Sequence, residues 1–194
     1  MRVALEVGAR WAFAIALDWP GWCRRGRGED GAVDTLLAYT DRYRAVIGED
    51  FDPGPVVVVG RAEGDGSTDF GAPGPPKDWD GEQPTDAMLT ALRRCWSYLD
   101  TVVASSPTEL RKGPRGGGRD RDPMVDHVRE AERHYAPKLG VRIPPRTPWA
   151  EQRQLIIETL EARPAGTRWP ATYSIRRVAW HVLDHAWEIE DRRP

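Results

Sequence analysis

The residues best suited to chemistry are the four histidines, and three of them form a pattern. His181-Val-Leu-Asp-His185 is an H-x-x-x-H pair, which helical geometry sets one turn apart on one side of a helix. Counting ~100° per residue, the apolar stripe Ile175, Val178, Val182, Ala186 and Ile189 is centred roughly 60° from His185 and roughly 100° from His181. The pair thus lies on the edge of the stripe, able to face a neighbouring helix or a cavity without being forced into the core. One boundary histidine and one surface histidine is the plainer alternative. Upstream, Asp126-His127-Val-Arg-Glu130-Ala-Glu132 repeats the pattern Asp184-His185-Ala-Trp-Glu188-Ile-Glu190, a weak internal repeat that brings in His127. Three neutral imidazoles leave coordination positions open on a divalent ion, as catalytic sites do and closed structural sites do not.

His134 lies seven residues after His127, on nearly the same face and two turns away, so it is an alternative third ligand or a base. Glu130 and Glu188, each three residues beyond a candidate ligand, could orient imidazoles, accept a proton from bound water or ligate the ion themselves; solvated helix charge is the other reading. Arg177, one turn before His181, could clamp a carboxylate, although a surface or salt-bridging arginine is the commoner role. Trp180, Trp187, Trp96 and Tyr173 are candidate pocket walls.

These side chains must be positioned by helices. From Pro84 onward four amphipathic segments are expected, at about 85–104, 122–136, 148–162 and 173–191. The second opens with Asp122 as N-cap and Pro123 at the first helical position. Modest connections make an antiparallel four-helix bundle the economical packing for 82–194. Ahead of it, residues 1–75 read as a small α+β domain of strand, strand, helix, strand. Val3, Leu5 and Val7 alternate, Trp11, Phe13, Ile15 and Leu17 alternate, and Gly8-Ala9-Arg10 is the turn. Val33, Leu36, Leu37, Tyr43, Val46 and Ile47 then fall at helical spacing up to Gly48, and the apolar run 55–59 suits a strand. Residues 60–82 hold six glycines, six acids and three prolines, composing a loop with a short strand near Thr68 to Phe70.

With 194 residues, 40% hydrophobic and 30% charged, the chain has the composition of an ordinary soluble globular protein. No apolar run approaches ~18 residues, and a charge interrupts the N-terminal apolar segment, so membrane insertion and export are not expected. A net charge of -2 makes nucleic acid an unlikely partner. The exception is the run from Arg111 to Arg121, with four arginines, a lysine and four glycines, which a flexible interhelical loop also explains. The two cysteines, Cys23 and Cys95, have no metal or redox spacing, in keeping with a reduced cytoplasm.

The combination of His127 on a second helix, His181 and His185 on the last, and the segment Ile175-Arg-Arg-Val-Ala-Trp-His-Val-Leu-Asp-His185 resembles the DinB-like superfamily of bacterial four-helix proteins over about residues 82–191. The resemblance implies a divalent metal, zinc or nickel, with iron or manganese also found. It further implies a low-molecular-weight thiol of the mycothiol or bacillithiol type as co-substrate. Thiohistidine sulfoxide synthases in that superfamily carry H-x-x-x-H-x-E; here Trp187 occupies the glutamate position and Glu188 follows, which argues against that activity. The N-terminal segment faintly resembles the HicB-like antitoxin fold, a packing or dimerising module, and a homodimer is expected.

The leading functional expectation is a metal-dependent thiol S-transferase or small-molecule hydrolase acting on a small electrophile. The alternative is a metal- or ligand-sensing regulatory module without catalysis. A di-metal carboxylate protein is a third class, disfavoured because the Glu-x-x-His order and extra inward glutamates are missing.

Overall fold

A computed structural model describes residues 1–49, 51–81, 83–113, 118–162 and 166–194. The described chain is mixed α/β, with a four-stranded sheet and seven helices. Strands β1 (Arg2–Val7), β2 (Trp11–Ala16), β3 (Cys23–Arg27) and β4 (Val57–Glu63) lie in the order β3-β2-β1-β4. The first three are antiparallel neighbours, and β4 joins β1 in parallel with a bulge at Val3/Ala4.

The alternation in β2 divides its two faces by size. Ala12, Ala14 and Ala16 belong to the core that includes Ala32 and Leu36 of helix α1 (Gly28–Ala38). Phe13, with Cys23, faces the other way onto Trp180. Small residues where a helix crosses a sheet allow close approach, and Gly26 of β3 is the extreme case: a Cβ there would lie 2.0 Å from the Gly31 carbonyl oxygen.

Three sequence expectations need correction here. The single helix expected up to Gly48 is two, α1 and α2 (Thr40–Ile47), broken at Tyr39, where φ -93° and ψ 7° leave the helical region. Strand β3 was not anticipated because Cys-Arg-Arg-Gly-Arg carries no apolar alternation. Its arginine stems pack instead on aromatic faces, Arg24 on Tyr39 at 4.0 Å and Arg25 on Trp11 at 4.5 Å. The expected strand near Thr68 to Phe70 is a helical turn, α3 (Gly66–Phe70), set by a capping box in which Asp65 accepts from the Ser67 N–H and Thr68 accepts from the Asp65 N–H. A 3₁₀ turn follows at Asp78–Asp80.

The four expected long helices are present as α4 (Asp86–Ala104), α5 (Arg121–Leu139), α6 (Trp149–Glu161) and α7 (Ala171–Asp191). Helix α5 starts earlier than read, with Asp120 at its N-cap position. It runs through Pro137 to Gly140, whose φ of 98° supplies a left-handed stop. Helix α7 packs most extensively on α4 and also on α5, α5 meets α6, and α6 returns to α4. Most buried residues of the sheet, α1, α2 and the four long helices form one continuous core, and Phe13, Cys23 and Trp180 form a second, smaller cluster. Residues 114–117 within the basic run lie outside the described residues. No described helix is long and apolar enough to cross a membrane.

Candidate metal centre

The site is built from two helices that pack together, α5 and α7. The sequence makes α7 look like a surface helix with one stripe, yet nearly every residue from Thr172 to Leu183 is buried. The reason is layering: the helices cover one side of α7, while Phe13 of the sheet meets Trp180 on another, edge to face at 6.1 Å. His181 therefore lies inside, 8% exposed, although its angle from the apolar stripe would permit a surface position.

His127 of α5 joins the α7 pair. Its Nε2 lies 3.3 Å from Nε2 of His181, and the ring centroids are 5.0 Å apart for His127 and His181, 5.0 Å for His127 and His185, and 4.6 Å for His181 and His185. One ligand nitrogen from each lies within 4.8 Å of the other two. Two nitrogens each about 2.0–2.1 Å from one tetrahedral ion stand roughly 3.3–3.4 Å apart, so the closest pair already has ligand spacing. His181 is buried while His127 and His185 are half-buried, leaving the cluster accessible from one side.

Electrostatics favour the neutral, ligating form of His181 and His127. Burial above all, then the repulsion that a protonated His185 or His127 would exert and the charges of Arg177 and Arg119, push His181 down to about 2. Burial, His185 and Arg119 likewise lower His127, against a small opposing pull from Glu188. Glu188 Oε2 lies 3.1 Å from His185 Nδ1, and Glu188 also accepts from Arg192 at 2.9 Å. The contact with His185 holds the Glu188 carboxyl below its usual range despite partial burial. With Nδ1 of His185 against the Glu188 carboxylate, Nε2 is the ring nitrogen left to ligate an ion. Nδ1 of His181 is buried without a hydrogen-bond partner among the described residues. Three imidazoles, one of them against a carboxylate, are grouped so that they could hold a divalent metal ion.

The other expected residues divide. His134 is exposed, its Nδ1 2.8 Å from the Glu130 carbonyl oxygen, and it does not join the cluster; two turns of helix carry it some 10 Å along α5. Glu130 is turned to Arg133. Arg177 is half-buried, donates to the Pro73 carbonyl and lies over Trp180 at 4.9 Å and Tyr135 at 5.7 Å. Trp180 forms the wall between His181 and the sheet. Trp187 is 1% exposed and packs on Tyr39, with centroids 5.0 Å apart, among Arg24 and Arg42, so it faces α1 and α2. Tyr173 donates to the Gly74 carbonyl at 2.7 Å. Trp96 donates to Glu132.

Sequence reasoning missed Tyr135 and Trp169. Tyr135 lies on the ridge of α5 that runs from His127 by steps of four, and its ring centroid is 6.0 Å from that of His181. That spacing was the available signal for Tyr135. Trp169 precedes α7 in a connection and had none.

No protein-family model matches the chain, and no match is found among curated proteins or solved structures.

Proposed function

We propose that the chain is a divalent-metal-dependent enzyme of the DinB-like kind, with α4 to α7 as its four-helix bundle and the sheet region as a HicB-like packing module. The observation that carries this reading is the convergence of His127, His181 and His185, with their nearest nitrogens at ligand spacing and one side open. A zinc or nickel ion there would supply Lewis acidity, favouring the thiolate of a small thiol or the hydroxide form of water.

The chain's own residues then have distinct tasks. His127, His181 and His185 would hold the ion, and Glu188, against Nδ1 of His185, fixes the orientation of that ring. Trp180 and Tyr135 border the cluster at His181. The reaction proposed is transfer of a thiol sulfur to a small electrophile, or hydrolysis of one, in a cytoplasmic homodimer.

Metal content by mass spectrometry of the purified protein, with His127, His134, His181 and His185 separately changed to Ala, tests the reading. Stoichiometric metal lost with His127, His181 or His185 but kept with His134→Ala supports it. A protein that takes up no zinc, nickel, iron or manganese refutes it and favours a regulatory module instead.

A further inference from the structure

Next to the histidine cluster, positive charge gathers without a counter-charge. Lys138, near the end of α5, holds its Nζ 4.2 Å from the centre of the Trp169 ring and 5.6 Å from that of Tyr135. Arg177 of α7 approaches the same Tyr135 ring at 5.7 Å. Among the described residues, no carboxylate pairs with either cation, and the only polar partner of the Arg177 guanidinium is the Pro73 carbonyl. Among the described residues the Lys138 ammonium has no hydrogen-bond acceptor. The two cations act on each other: Lys138 is lowered by burial and then by Arg168 and Arg177, with no acid opposing them.

The acids on the sheet side are already committed. Glu6, buried on β1, accepts from Thr68 Oγ1 at 2.6 Å and from the Gly74 N–H at 2.8 Å, with Lys77 Nζ at 3.9 Å. Asp80 is buried against Arg176 and accepts from the Lys77 N–H. Neither is free to neutralise Arg177. Like charges brought near one another disfavour the charged forms, and a surface lined by one sign of charge attracts an anion.

We infer that Arg177 and Lys138, both beside the Tyr135 ring and Lys138 also over Trp169, form a subsite for the oxyanion group of an acidic small molecule whose other end reaches the histidine cluster. Arg177 and His181 are one turn apart on α7, so their Cβ atoms lie about 5–6 Å from each other, the span of a few covalent bonds. The two aromatic rings would flank the ligand's apolar stem, and the cations would hold its carboxylate or phosphate. The inference rests on the proposed function for what the ligand's far end does, but the anion contact stands independently of the metal.

The test is calorimetric titration of the full chain, zinc-loaded and metal-stripped, with succinate, inorganic phosphate and neutral succinamide at low ionic strength. Saturable binding of succinate or phosphate but not succinamide is expected, and the preferred anion distinguishes a carboxylate ligand from a phosphate ligand. Arg177→Gln should weaken it about tenfold or more, as the loss of one charge-assisted hydrogen bond predicts. Lys138→Gln provides an independent variant, with circular dichroism as the check on folding for both. Absence of saturable anion binding, or binding that neither variant alters, overturns the inference even if zinc is bound. Anion binding in a chain that takes up no metal would refute the metal reading and leave the subsite standing.

Discussion

Replacing Glu132 by Gln sets the hydrogen bonds of a buried carboxylate against the cost of burying its charge. Glu132 lies on α5, the helix that carries His127, and is 1% exposed. Its Oε1 accepts from the Trp96 indole of α4 at 2.7 Å, while Oε2 accepts from the Trp149 indole at 2.6 Å and Gln152 at 3.1 Å, both on α6. A glutamine offers one oxygen, so its best placement keeps the α6 contacts and turns an NH2 toward Trp96, itself only a donor. Two buried N–H groups lose acceptors at about 1–3 kcal/mol each, a gross loss of about 2–6 kcal/mol. Burial raises the Glu132 carboxyl above its ordinary value of 4.5, against the pull of Arg153 and the three donors, so removing the charge returns part of that loss. The expected net is about 1–3 kcal/mol of destabilisation at pH 7, or roughly 2–4 °C in Tm per kcal/mol. Because the folded state keeps this proton longer than the unfolded state, wild-type stability from this source is full below pH 4.5 and falls as pH rises toward the raised value. The variant lacks that slope, and the gap between the two proteins therefore narrows with rising pH. Urea unfolding followed by circular dichroism at pH 5, 7 and 8 measures both effects. A variant at least as stable as wild type at pH 7, or a gap that widens with pH, would refute the reasoning.

Other perturbations have equally definite outcomes. Asp80→Ala strands the buried Arg176 guanidinium and should cost about 3–5 kcal/mol, read as a drop in Tm on the order of 10 °C; a loss under about 1 kcal/mol would mean that solvent reaches Arg176. Gly26→Ala places a Cβ against the backbone of α1 and should cost about 3 kcal/mol or more by urea titration, and an unchanged midpoint would contradict the packing of β3 on α1. Trp187→Ala should cost about 3–5 kcal/mol as a core truncation yet leave metal stoichiometry unchanged, since the ring faces Tyr39; metal loss in a folded variant would place it at the site.

Local patterning made much of the chain legible. The 3.6-residue repeats gave α4 to α7, and the two-residue alternations gave β1 and β2, because each element buries one apolar face whatever lies opposite. The H-x-x-x-H spacing and the matching Asp-His unit on an earlier helix were enough to nominate His127, His181 and His185. The charged edge strand β3 and the break at Tyr39 were not legible, since Arg24 and Arg25 are stabilised by rings distant in sequence and no local period records that.

What tertiary structure alone decided is which candidates meet. His127 and His134 share a face of α5, and only the place where α5 approaches α7 selects the first and leaves the second in solvent. Trp180 and Trp187 lie two turns apart on α7, yet the sheet directs one to the histidines and α1 and α2 enclose the other. The sequence determined the donors and their spacing along each helix, whereas the depth of His181 and the unpaired charge of Arg177 and Lys138 arise from layers packed across the chain. Burial and electrostatic fields depend on every neighbour at once, and a one-dimensional pattern does not contain them.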